Sequence, residues 1–137
     1  MAGIRILVVD DHAVIRSGLR KFLMVNRDLE AVGEATDGIE AVQMAGLYKP
    51  DVILMDLMMP AMDGIAATRE IRETCPATQI VVLTSFSEAN LVKQALQAGA
   101  IGYLQKNVTA SELKDAIRSA HAGRMTLSPE AAQALAI

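Results

Sequence analysis

Apolar residues in this chain follow two alternating rhythms. Ile4 to Val9 is a β-rich apolar run that ends at Asp10-Asp11-His12. From Ala13 the spacing changes, and Val14, Ile15, Gly18, Leu19, Phe22 and Leu23 recur at helical intervals. Leu29 to Ala35 predicts a second, weaker strand. Asp37-Gly38-Ile39-Glu40 then joins an N-cap to an acid at the third following position, a capping-box pattern that opens a helix towards Leu47. Asp51 to Asp56 is the third strand. Its centre, Val52-Ile53-Leu54-Met55, is apolar throughout and bounded by turn signals, as in a parallel strand buried on both faces.

The alternation continues to the end of the chain. A helix follows Asp63-Gly64 with Ile65, Thr68 and Ile71 on one face, and Pro76 stops it. Ile80 to Leu83 is the fourth strand and ends at Thr84-Ser85; Ser87 is the expected cap of a helix through Leu91, Ala95 and Leu96 that Gly99 terminates. Ile101 to Leu104 is a short fifth strand ending at Gln105-Lys106. Thr109-Ala110-Ser111-Glu112 is a capping box, with Leu113, Ala116, Ile117 and Ala120 as the buried stripe and Gly123 as the stop. The tail differs. Ser128-Pro129-Glu130 is a good helix start, but the Ala-rich run after it is too short to be stable alone.

Strands alternating with helices in this way predict an α/β fold, a doubly wound (βα)5 sandwich with right-handed crossovers. The flavodoxin-like order for five strands is 2-1-3-4-5. That order sets strands one and three side by side, so Asp10, Asp11 and Asp56 converge at the carboxyl edge, where such sheets bind their ligands.

Composition narrows the class. Of 137 residues, 52% are hydrophobic and 21% charged, which fits one globular domain and excludes a disordered chain. A net charge of −3 argues against holding nucleic acid through a basic surface. The lone Cys75 suits a reducing compartment, and no apolar run has membrane-spanning length. The expectation is a cytoplasmic domain without membrane contact.

Three carboxylates crowding one edge repel one another and call for a cation or a proton. A hard divalent cation with oxygen ligands is the better answer, Mg²⁺ first and Mn²⁺ as a possible substitute. Zinc is disfavoured because His12, His121 and Cys75 are scattered. Thr84 ends strand four with a hydroxyl, and Lys106 follows strand five with a cation. Phosphoryl transfer uses such a set: Asp56 as nucleophile, Asp10 and Asp11 on the metal, Thr84 and Lys106 on the phosphoryl oxygens. Each residue also has a plainer role. Asp10-Asp11 can cap the first helix, Asp56 can be a turn acid, Thr84 can be structural, and Lys106 can be a solvated surface lysine. His12 reads as a cap or surface residue. What favours the chemical reading is that the polar anchors all fall at strand ends on one edge.

Asp10-Asp11, Met55-Asp56-Leu57-Met58-Met59-Pro60-Ala61-Met62-Asp63-Gly64, Val82-Leu83-Thr84-Ser85 and Gly102-Tyr103-Leu104-Gln105-Lys106 together resemble the receiver domain of bacterial two-component response regulators, over roughly residues 3 to 123. Val9-Asp10-Asp11-His12, Glu34-Ala35-Thr36-Asp37-Gly38 and Val81 to Phe86 resemble the subfamily with a LuxR-type helix-turn-helix effector (NarL/FixJ-like). The resemblance implies that Asp56 accepts a phosphoryl group from a sensor histidine kinase or a small donor such as acetyl phosphate. It implies Mg²⁺ on Asp10, Asp11, Asp56 and the Met58 backbone carbonyl, sensing by Thr84 and Lys106, and Tyr103 as an aromatic that swings inward when Thr84 moves. It implies altered homodimer pairing through helix four, strand five and helix five, or through helices one and five. Residues 1–123 would be the receiver and 124–137 the start of a linker to an absent C-terminal DNA-binding domain. Such a chain is no enzyme beyond its own phosphorylation and dephosphorylation.

Two positions depart from the family pattern. Asn107 follows the lysine where many receivers have Pro, often cis; a cis peptide before Asn107 costs about 3 kcal/mol more than trans, which leaves that loop open. Met58 is apolar where some relatives are polar, so reaction rates do not carry over. Competing readings are an Asp-nucleophile phosphohydrolase, a nucleotide-binding domain, and a receiver that signals without phosphorylation. Met58 stands where the first usually has a general acid. Asp10-Asp11-His12-Ala13 lacks the Gly-rich loop that the second needs. The intact Asp11, Asp56, Thr84 and Lys106 set weighs against the third.

Overall fold

The computed structural model describes residues 3–136; expectations that touch Met1, Ala2 or Ile137 lie outside these residues. The order of elements is β1 (Ile4–Val9), α1 (Ala13–Met24), β2 (Leu29–Ala35), α2 (Gly38–Tyr48), β3 (Val52–Met55), α3 (Gly64–Thr74), β4 (Gln79–Thr84), α4 (Ala89–Ala98), β5 (Gly102–Gln105), α5 (Ala110–His121), β6 (Thr126–Leu127) and α6 (Pro129–Leu135). The sheet is parallel throughout, in the order β2-β1-β3-β4-β5-β6.

Strand periodicity divides the core in two. Leu7, Val9, Ile53, Met55, Ile80 and Val82 point to the face covered by α2, α3, α4 and α6. Ile6, Val8, Val52, Leu54, Val81 and Leu83 point to the other, where Leu23 of α1 and Leu113, Ile117 and Ala120 of α5 meet them. Successive residues of one strand therefore feed opposite layers, which is why these strands are apolar without alternation.

The sheet has one strand more than the sequence predicts. β6 adds to the free edge of β5, with Gly102 opposite Thr126 and Tyr103 opposite Leu127. It is two half-buried residues long, so no apolar run announces it. The Thr126 amide donates to the Ile101 carbonyl at 3.1 Å and the Ser128 amide to the Tyr103 carbonyl at 2.8 Å. Ser128 then caps α6 by accepting from the Ala131 amide at 3.1 Å, with Pro129 at the first helical position. This seven-residue helix is held by packing, since Ala131 is fully buried and α6 lies against α4.

Two capping details also differ. Glu88, not Ser87, is the N-cap of α4, and its side chain makes no capping bond. At α2, Asp37 accepts from the Glu40 amide at 2.8 Å, but the Glu40 carboxylate reaches the Thr36 amide at 2.7 Å, one residue before the cap. The capping box of α5 is complete, with Thr109 and Glu112 each bonded to the other's backbone amide. No peptide bond among the described residues is cis, so Lys106–Asn107 is trans.

Candidate functional site

The carboxyl ends of β1 and β3 are neighbours, and each delivers an acid. The Asp56 amide donates to the Val9 carbonyl at 3.0 Å and the Asp10 amide to the Ala35 carbonyl at 3.1 Å, which carries the ladder one step past the strands. Asp10 is 2% exposed and Asp56 4%, whereas Asp11 faces solvent. The carboxylates of Asp10, Asp11 and Asp56 and the His12 ring lie within 4.8 Å of one another.

What holds two buried acids together is Lys106. Its Nζ is 2.8 Å from Asp10 Oδ2 and 3.4 Å from Asp56 Oδ2. The loop after β5 is itself pinned to β4, because the Lys106 amide donates to the Thr84 carbonyl at 2.9 Å. Asp56 Oδ1 also accepts from the Leu57 amide at 2.9 Å. Burial, and then the charge of Asp10, raise the Asp56 carboxyl above its usual value against the pull of Lys106 and the Leu57 amide. Burial draws Lys106 down, but its hydrogen bond to Asp10 and the charge of Asp56 outweigh this and leave it raised. The cluster is short of positive charge.

The backbone around Asp56 is tightly set. The Gly64 amide donates to the Leu57 carbonyl at 2.8 Å, and a Cβ at Gly64 would collide with the Asp56 carbonyl oxygen. Asp63 caps α3 by accepting from the Ala66 amide at 2.8 Å. The Asp56–Asp63 loop is thereby fixed at both ends. Met58 lies in it with 48% exposure.

Thr84 is fully buried at the end of β4, and its hydroxyl accepts from the Phe86 amide at 3.4 Å. Tyr103 is fully buried on β5, with its hydroxyl donating to the Phe86 carbonyl at 2.7 Å. Burial, with Glu88 nearby, pushes its phenol up to about 12. The structure thus brings Asp10, Asp11, Asp56 and Lys106 together and sets Thr84 and Tyr103 in one hydrogen-bonded step at Phe86.

Other residues at the site were not assigned to it from the sequence. His12 occupies the N-cap of α1, as expected of a cap residue, but its Nδ1 also lies 3.0 Å from Asp10 Oδ1 and 3.1 Å from Asp11 Oδ1. Arg16 donates to the Asp10 carbonyl at 2.8 Å and to Glu34 at 3.0 Å, and Arg20 donates to Glu34 at 2.7 Å.

The donor set fits a hard divalent cation. Carboxylate oxygens dominate it, two of the acids are buried, and the one cation they share among the described residues is a lysine. The same carboxylate oxygens also suit Mn²⁺.

A parallel α/β sheet with buried acids at its β1–β3 junction and a lysine beyond β5 defines a class of α/β domain with an acidic site at its carboxyl edge. The chain belongs to the response regulator receiver domain family, which residues 6–118 match. It is 46% identical over 129 residues to the transcriptional regulatory protein LiaR of Bacillus subtilis, covering 94% of this chain and 61% of that protein. It is 42% identical over 127 residues to the response regulator protein VraR of Staphylococcus aureus, covering 93% and 61%. Among solved structures it resembles a LuxR-family two-component response regulator from Aurantimonas, with a TM-score of 0.88, 37% identity and coverage of 98% and 96%. The receiver domain of the putative response regulator NarL from Mycobacterium tuberculosis gives 0.87 and 35%, with coverage of 90% and 100%. The chain spans about three fifths of the length of those curated relatives, 61% in each case. No described helix is long and apolar enough to cross a membrane.

Proposed function

We propose that this chain is the phosphoacceptor domain of a two-component regulator and that Asp56 is the residue phosphorylated. The observation that carries the reading is the pair of buried carboxylates sharing one lysine at the β1–β3 junction, Asp10 at 2.8 Å and Asp56 at 3.4 Å from Nζ. Isolated buried acids are costly, and this arrangement leaves them poised for further positive charge.

In the proposed reaction an Asp56 carboxylate oxygen attacks the phosphorus of a phosphohistidine or of acetyl phosphate. A P–O bond to Asp56 forms, the bond to the imidazole or acetate breaks, and the electron pair leaves with that group. Asp10, Asp11, Asp56 and the Met58 carbonyl would hold Mg²⁺, or Mn²⁺ in its place. When bound, the metal would offset charge on the phosphoryl oxygens. Lys106 and the Thr84 hydroxyl bind those oxygens, and the Leu57 amide orients the carboxylate.

Residues 1–123 form the switching unit, and 124–137 lead into a DNA-binding domain of a longer protein, the source of any transcriptional role. A sensor histidine kinase is the donor, in the cytoplasm. Phosphorylation promotes a homodimer. The packing of α6 on α4 favours the face of α1 and α5 for this pairing, and Val14, Met24 and Val25 in or next to α1 are exposed apolar residues.

The test is incubation with Mg²⁺ and acetyl phosphate, followed by intact-mass measurement. The wild-type chain gains one phosphoryl mass and Asp56→Asn gains none. Uptake by Asp56→Asn, or sustained turnover of external phosphoesters by the wild type, would sink the reading.

A further inference from the structure

We propose that β6–α6 is a strap whose seat on β5 and α4 is thermodynamically linked to the phosphoryl site through Tyr103. The proposal rests on the phosphoacceptor reading above and adds a regulatory part to it.

Tyr103 is held from two sides. Its hydroxyl donates to the Phe86 carbonyl at 2.7 Å, and the Phe86 amide donates to Thr84 at 3.4 Å. Its backbone carbonyl accepts from the Ser128 amide at 2.8 Å, and Leu127 lies opposite it in the sheet. The same side chain shares one apolar cluster with Val92 and Ala95 of α4 and with the strap's Ala131, while Leu127 and Leu135 pack against that cluster. A ring with its hydroxyl on the β4–α4 loop and its apolar face in the cluster that Ala131 joins cannot leave its seat without losing the Phe86 bond and loosening the cluster on which the strap sits.

The strap also has little stability of its own. Its strand is two residues long and its helix seven, too short to persist apart from the surface it covers. Under the proposal it exchanges between docked and released arrangements, and docking requires the β5–α4 surface to be formed. Any ligand that draws the Thr84 hydroxyl towards the carboxyl edge acts on the Phe86 segment that receives the Tyr103 hydroxyl. By linkage, what the phosphoryl group does to the strap, the strap does to affinity for the phosphoryl group. Docking favours the buried seat of Tyr103, so the coupling is positive.

Mg²⁺ with beryllofluoride serves as the phosphoryl mimic, added to the full chain. Hydrogen exchange is followed at the Thr126 and Ser128 amides, with α3 amides as the internal reference. Saturation with the mimic is expected to slow exchange at the two strap amides by about fivefold. Ala131→Glu, which forces a carboxylate into the apolar seat, is expected to release the strap, leave α3 protected and weaken the Kd for the mimic by about fivefold. If Ala131→Glu also loses α3 protection, Leu135→Glu at the rim of the same seat carries the measurement. A strap released with the Kd unchanged, or tightened, overturns the linkage while the phosphoacceptor reading stands. Failure of the wild-type chain to bind the mimic overturns that reading, and the linkage falls with it.

Discussion

At the carboxyl ends of β1 and β3, two acids are buried side by side around one lysine; at the β6 edge, Ala131 and Leu127 close over Tyr103 with apolar contacts and backbone hydrogen bonds. The strap region is self-consistent: its apolar side chains meet an apolar cluster and the Thr126 and Ser128 amides find backbone carbonyls. The acidic region is not, because Asp56 is raised by burial and by Asp10, with Lys106 only partly compensating. Stability and the proposed chemistry are therefore carried by different parts of one sheet. Damage at the acidic end should cost chemistry, and damage at the strap end should cost stability.

The largest effect is expected at Lys106. Lys106→Met should lower the rate of phosphoryl uptake from acetyl phosphate about a hundredfold while the circular dichroism stays native, as removal of a preorganised charge partner does. A fold lost along with the activity would break the contrast. Gly64→Ala comes next, since its Cβ meets the Asp56 carbonyl; urea unfolding should show a loss of about 1–3 kcal/mol. This is the place where the acidic end does depend on packing. At the strap, Leu127→Ala should cost about 1–2 kcal/mol in the same assay, with a far smaller effect on uptake than Lys106→Met.

Proton linkage sharpens the comparison further. The Asp56 carboxyl is raised in the folded chain, so its contribution is fully present below the ordinary value of 3.8 and lost as pH rises through the raised value. Without Mg²⁺, Asp56→Asn should be more stable than wild type above that window, and the difference should vanish below it, by urea unfolding at a series of pH values. Equal stability at neutral pH would mean that Lys106 fully offsets the buried charge. The smallest effect belongs to Asp28 and Arg118, 2.7 Å apart on the surface; Asp28→Ala should leave the melting temperature within experimental error.

Much of this was legible in the chain. Long apolar runs and helical spacing marked the first five strands and five helices, and the acids at the ends of β1 and β3 were placed by strand order alone. The sixth strand was not legible, because two half-buried residues carry no periodicity and their pairing depends on Tyr103 and Gly102 far back in sequence. Ser87 misled because a hydroxyl before a helical pattern resembles a cap, yet Glu88 takes that position through backbone conformation alone. His12 was legible as a cap, but its reach to Asp10 and Asp11 needed the turn's geometry. Arg16 needed the tertiary closeness of β2, where Glu34 shares it.

The buried phenol of Tyr103 has an optical consequence. The chain has no Trp and only two Tyr, and one of them ionises late, at about 12, while bonded to the Phe86 carbonyl. Near-ultraviolet absorbance and circular dichroism are therefore dominated by very few chromophores, one of them buried between the β4–α4 loop and the strap. The domain carries a native spectroscopic reporter at the proposed switch, readable without a label.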